Sequence, residues 1–552
     1  MEIKIISKIL LFTAILCMEL FPQKLNEVNR IKLINKDLFQ RHLNFLGSDL
    51  FEGRAPGTLG GNLAAKYLAL EFDKLKLRPI GDNNSYYQNI PFHSSKPSQG
   101  CELNIHSGNS TNTLKINSDF LLYQSAETIF FPRPVEMVFA GYGITAPEFN
   151  YDDYKDINVE NKIVVMLEGE PVSFDPSYFD GDMPTIFSLP EAKQRIALSK
   201  GAKGTITLPL QRNDFNKYWE SQVRAFAFEN LSLASSPSTS LDILFNPNKS
   251  DLLFNGTAFS IDSIYALHQQ HGIKSFPLKT QIKFKGEFFQ RDFISHNIVG
   301  MLEGSDAKLK DEFIIVSAHY DHLGIGPAIN GDSIYNGVFD NAAGVAALLE
   351  TARMFWEKTY VNKRSIIFLL TTAEEKGLLG SYFYTLNPLA PLYKTIANIN
   401  IDGIASFDIF KSIVGIGSEY SSLLIFLENA ARERGLKVTS IPPEFSGLDA
   451  FAKSDQHSFA KVGIPSILIS EGIDYRNITS EEGIKRMIDY SANIYHSPFD
   501  DLNQNINFDA AALHMELICA VVEKLANDKQ IPEWFDNSPY LNARKFSIEN
   551  KR

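Results

Sequence analysis

Seven residues of metal-ligating type, His319, Asp321, Asp340, Glu374, Glu375, Asp402 and His496, punctuate the second half of a 552-residue chain. Three of the clusters they form sit at the end of apolar runs that read as strands. Ile314-Ile315-Val316 leads to His319 and Asp321, Ile366 to Leu370 leads to Glu374-Glu375, and Ile399-Asn400-Ile401 leads to Asp402. In an open α/β sheet, residues just past the carboxyl ends of neighbouring strands converge on one crevice. So many carboxylates and imidazoles at one rim, with no matching set of buried lysines or arginines, call for a cation. Imidazole with carboxylate and no thiolate suits zinc in a catalytic rather than a structural site. The chemistry that follows is metal-assisted hydrolysis.

Each element has a plainer reading when taken alone. His319-x-Asp321 places two side chains on one face of an extended chain, where the carboxylate can accept the second imidazole N–H; a surface pair has the same spacing. Asp340 precedes a helical pattern through Val345, Leu348, Leu349 and Ala352, so it reads equally as an N-cap. The apolar approach Gly337-Val338-Phe339 is unusual for a solvated cap. Glu374 and Glu375 repel each other unless their tasks differ, one holding a cation and the other taking a proton from water. A solvated acidic pair at a helix start is the alternative. Asp402, behind Ile399-Asn400-Ile401, is a costly buried charge without a partner. Tyr495-His496 lies in a turn.

Those clusters need a frame of alternating strands and helices, and residues 290–528 provide it. Helical spacing recurs over residues 30–95, interrupted by the glycine-rich turn Phe51 to Gly61, which lacks a Walker ending and reads as a helix start. Residues 130–285 change texture to short strands, including Val135 to Ile144, Lys162 to Leu167 and Gly204 to Leu208. The expected organisation is therefore an α/β catalytic domain, a mixed open sheet flanked by helices, split by a β-rich insert. Residues 529–552 read as a peripheral polar tail. Residues 1–22 read as a signal peptide, because Lys4 and Lys8 precede an apolar core from Ile9 to Leu16 that is shorter than the roughly 20 residues of a membrane span. Export to the periplasm, cell surface or medium is the expectation. Cys17 leaves a lipid anchor as an alternative, although Leu16 is bulky where lipoprotein processing takes a small residue. Of three cysteines, Cys101 and Cys519 are so far apart that free, buried thiols are the simpler reading. With 44% hydrophobic residues, 21% charged residues and a net charge of −12, disorder and nucleic-acid binding are both disfavoured. No stretch reaches the length of an integral membrane span.

The series Ala318-His319-Tyr320-Asp321-His322, Asp340-Asn341-x-x-Gly344, Glu374-Glu375-x-Gly377-x-x-Gly380-Ser381, Asp402 and Tyr495-His496 resembles metallopeptidase family twenty-eight. Val138 to Leu167 with Gly201-Ala202-Lys203-Gly204 resembles the protease-associated domain inserted in some of its members. The resemblance implies a zinc exopeptidase fold and two zinc ions per chain. It implies one ion on His319, Asp340 and Asp402, and the other on Asp340, Glu375 and His496. Glu374 is then the general base, Asp321 the carboxylate orienting His319, and Tyr495 a donor to the oxyanion. The implied substrate is a peptide cleaved from its amino end. A carboxypeptidase would need cations such as Arg54, Arg432 or Arg476 for the terminal carboxylate. A non-catalytic receptor-like scaffold and a glutaminyl-cyclase-like transferase are further readings on the same fold. Ser454-Asp455-Gln456-His457 departs from the family pattern at Gln456, which leaves His457 outside the expected site.

Overall fold

A computed structural model describes residues 30–551 apart from 124–128, 172–174, 176–177, 180, 182–184, 211–213, 236–239, 444 and 446–449. The expected signal peptide and Cys17 lie outside the described residues. The chain divides into two units. The first comprises the described residues up to Ile90, then Ser295–Pro442 and Ala450 onward; the second is built on Pro91–Ile294.

Four parallel strands form the middle of the first unit's sheet, in the order Ser365–Thr371, Phe313–His319, Thr395–Asn400 and Ser466–Glu471. Antiparallel strands flank them, Phe288–Leu302 beside Ser365–Thr371 and Ser412–Ile416 beside Ser466–Glu471. Ser365–Thr371 and Thr395–Asn400 are buried along their whole length, as continuous apolar strands are when helices cover both faces. Alternation sorts their side chains. Ile314, Val316, Ile366, Phe368 and Leu370 face a core shared with the helices Lys36–Leu46, Leu59–Lys74, Ala343–Trp356 and Phe508–Asn527. Ile315, Ile367 and Leu369 face the other side, against Tyr384 and Phe459 of the short helices Leu379–Leu386 and Gln456–Lys461. The result is the expected three-layer α/β frame. His319 pairs with Thr371 across the sheet and Ser317 with Asn400. The strand ends that lead to Glu374 and Asp402 are thereby level with His319.

The second unit has its own eight-stranded mixed sheet and its own core, including Leu103, Phe120, Val165, Ile206, Ile243 and Phe284. Its extent corrects the expected boundary at 130. The strands Glu102–Ser107, Ser110–Lys115 and Phe120–Leu122 belong to this sheet. Ser110-Thr111-Asn112-Thr113 hides its strand character because it forms a polar edge exposed on both faces. The reading of 529–552 as peripheral also fails. Trp534 is buried and donates to Gly463 O, and the buried Arg544 donates to the carbonyls of Leu392 and Thr395. Polar composition concealed this, because the charged head of Arg544 is satisfied by main-chain acceptors. Cys101 and Cys519 are free and buried. Among the described residues no helix is long and apolar enough to cross a membrane.

Candidate metal centre

The site grows from the carboxyl ends of three parallel strands. His319 is the last residue of its strand and is buried. Its Nε2 lies 3.2 Å from Asp402 Oδ1 and 3.2 Å from Asp340 Oδ1. Asp340 reaches the same place from the turn before the helix Ala343–Trp356, through a cis peptide bond to Asn341. It does not cap that helix, whose N-cap Ala342 has no side-chain bond. Instead its own amide, and that of Phe339, donate to the buried Asp500. After Thr371 the chain turns through positive φ at Ala373, Gly377 and Leu378, which folds Glu374 and Glu375 back over the sheet end. Gly380 allows this turn to pack: a Cβ there would come within 2.2 Å of Thr372 O and 2.7 Å of Asn297 Oδ1. His496 closes the far side, its Nε2 2.9 Å from Glu375 Oε2 and 3.2 Å from Asp340 Oδ2.

His319, Asp340, Glu374, Glu375, Asp402 and His496 are thus gathered at one rim. Three overlapping groups place one ligand atom each within 4.8 Å of one another: His319 with Glu374 and Glu375, His319 with Asp340 and Asp402, and His322 with Asp340 and Glu375. One expectation changes in detail. The His319 Nδ1 contacts the main-chain oxygen of Asp321 at 3.2 Å, with the carboxylate farther off at 3.8 Å. The strand ends at His319, so Asp321 no longer shares its extended face. The Asp321 carboxylate instead accepts the Glu374 amide at 3.1 Å. Tyr495 is 46% exposed and stacks its ring on His496 at 3.8 Å.

Several further neighbours, to which the sequence assigned no place in the site, support it. His322 is fully buried with Nδ1 2.6 Å from Glu375 Oε1. Ser454 donates to Asp402 Oδ2 at 2.6 Å, and Asp455 accepts from Thr371 Oγ1 beneath the site. The Ser454-Asp455 stretch was visible as a motif, but nothing local to Asp500 marked it. Arg54 is buried and its three guanidinium nitrogens donate to the carbonyls of Tyr320, Leu46, Asn336 and Gly337. It pins loops under the site and is not free to receive a substrate carboxylate.

The electrostatics are those of a site short of positive charge. Burial opposes charge on His319, yet Glu374, Asp402 and Asp340 raise its imidazole well above the ordinary value. Burial likewise opposes charge on His496, and Glu375 and Asp340 still bring it up to about 10. The adjacent glutamates move apart. Burial, with Asp402, Glu375 and Asp455 adding to it and His319 opposing, pushes Glu374 well above the carboxylate range. Against burial and Asp340, the imidazoles of His496 and His322 draw Glu375 down to about 2. The two neighbouring acids thus sit in different surroundings, Glu375 against two imidazoles and Glu374 among carboxylates with one. The donors are all oxygen or imidazole nitrogen, and the carboxylates outnumber the imidazoles, so the set fits borderline divalent cations.

Residues 297–522 match the model of Peptidase family M28. Among curated proteins, a probable zinc metalloprotease of Pyrenophora tritici-repentis is 36% identical over 112 residues, 20% of this chain and 23% of that protein. Leupeptin-inactivating enzyme 1 of Streptomyces exfoliatus is 25% identical over 45% of this chain and 53% of its own. Aminopeptidase Y of Saccharomyces cerevisiae is 28% identical over 39% and 37% respectively. The chain spans about half or less of these relatives' lengths. Among solved structures, an aminopeptidase from Aneurinibacillus sp. strain AM-1 shares the fold, with a TM-score of 0.54 at 19% identity over 90% of this chain and 95% of that one.

Proposed function

We propose that the chain is a zinc-dependent aminopeptidase with two ions per chain. Asp340 carries this reading. Its Oδ1 faces His319 and its Oδ2 faces His496, so one carboxylate serves two ligand sets at once. His319 and Asp402 complete one set, Glu375 and His496 the other. The relatives named as zinc metalloproteases and aminopeptidases support the choice of metal and reaction.

Bound there, the ions supply Lewis-acid chemistry that makes a water acidic and polarises the scissile carbonyl. Glu374 takes the proton from the attacking water and passes it to the departing amine. The Asp321 carboxylate accepts the Glu374 amide and so anchors the backbone from which that side chain projects. Tyr495, stacked on His496, donates to the oxygen on which charge develops. A rim at which carboxylates outnumber imidazoles favours a substrate ammonium over a carboxylate. Arg54, one of the three arginines a carboxypeptidase could have used, is consumed by four carbonyls. The second unit fits a protease-associated domain, a mixed sheet inserted between two parts of the catalytic unit.

The test pairs metal content with polarity on one preparation. Expected are about two zinc ions per active chain, hydrolysis of amino-acid anilides, loss of cleavage on N-acetylating a short peptide and little effect of amidating its carboxyl end. Cleavage that requires the free carboxyl end, or full activity with one ion or none, overturns the reading.

A further inference from the structure

We infer that His322 is a positioning residue that divides the two oxygens of Glu375, reserving Oε2 for the cation. The inference rests on the metal-site reading above. The Glu375 carboxylate is met from two sides: His322 Nδ1 lies 2.6 Å from Oε1, and His496 Nε2 lies 2.9 Å from Oε2. Oε2 is the oxygen that shares His496 with Asp340 Oδ2. Oε1 is taken up by His322, whose Nδ1 also lies 3.9 Å from Asp340 Oδ2. For Nδ1 to donate to a carboxylate, the His322 proton must sit on Nδ1, a tautomer fixed by this bond. The ring has no freedom to do otherwise. It is fully buried, and its Nε2 has no partner among the described residues. A Cβ on Gly337 would come within 2.4 Å of the ring's Cγ, so the backbone of Gly337 lies directly against it. Gly337 itself is anchored, since Arg54 Nη2 donates to its carbonyl at 2.7 Å.

This arrangement gives the carboxylate one orientation before any ion arrives. A glutamate with two free oxygens would rotate about its last torsion and present either, or both, to the metal. His322 removes that choice, and Arg54 braces the His322 ring through Gly337. Hydrogen-bond partners of ligands typically contribute roughly 10–100-fold in metal affinity.

Zinc titration of the metal-free full-length protein against a chromophoric chelator tests the idea. His322→Ala should weaken one of the two zinc equivalents by roughly 10–100-fold and leave the other unchanged. His322→Asn, whose amide nitrogen falls near the position of Nδ1, should restore most of that affinity. Loss of one whole equivalent in both variants, equal to that of Glu375→Gln, would make His322 a direct ligand and overturn the positioning role. Unchanged affinity in His322→Ala overturns it as well. If His322→Ala does not fold, the wild-type-to-Asn comparison still decides: Asn must bind both equivalents, with no more than a several-fold loss in one. Wild-type protein that takes up no zinc would overturn the metal-site reading itself.

Discussion

Glu374 and Glu375 are adjacent and chemically identical, and their surroundings make them different. Glu375 meets two imidazoles and stays ionised; Glu374 has one histidine nearby, at the edge of a buried acidic group, and holds its proton more readily. Glu374→Gln should therefore retain both metal equivalents while lowering turnover by about 10²–10⁴-fold, since an amide keeps the shape but cannot accept a proton. Glu375→Gln should instead lose zinc, with activity recovering in part at high zinc concentration. Metal analysis beside steady-state kinetics checks both, and an exchange of the two phenotypes would reverse the assignment.

The strand Ser466–Glu471 shows how an element's burial can set a pH dependence apart from the site. Glu471 closes this strand, and burial pushes its carboxyl up to about 8 despite the amide of Ser406. A folded-state pKa above the unfolded value of 4.5 means that the folded protein binds the extra proton between those limits. Its contribution to stability is therefore complete below about pH 4.5 and is lost as pH rises through about 8. Glu471→Gln, which remains neutral, should stabilise the protein at pH 8 by on the order of 2 kcal/mol and give no advantage below pH 4.5. Denaturant melts of both proteins at the two pH values measure it; equal stability at pH 8 would refute the burial argument.

At the scale of the whole molecule, each unit owns a hydrophobic core, and the candidate ligands all belong to the first. The tryptophans separate the two. Trp219 is buried in the second unit against Leu121 and Leu244, whereas Trp534 is buried in the first. A ligand that binds only the folded state stabilises by about 2.7 kcal/mol when present at 100 times its dissociation constant. Chelation should thus lower the thermal transition reported by Trp534 in a Trp219→Phe, Trp356→Phe background. The transition reported by Trp219 in a Trp356→Phe, Trp534→Phe background should move little. Equal shifts in both would show that the metal stabilises more than its own unit.

Strand periodicity and residue type were enough to mark the α/β frame and to set His319, Glu374 and Asp402 at strand ends. These are local properties: an apolar run of strand length ends where polar residues begin, and parallel strands bring such ends level. The polar edge strand Ser110–Lys115 carried no such contrast, so the start of the second unit was misplaced. Arg544 and Trp534 looked peripheral because their acceptors, the carbonyls of Leu392, Thr395 and Gly463, are ordinary backbone that no side-chain pattern reveals. The split of Glu375 between His322 and His496, the hold of Asp500 on Asp340 and the use of Arg54 as a buried brace join residues far apart along the chain. Only the folded packing decides such pairings, because each depends on the angle at which distant turns meet.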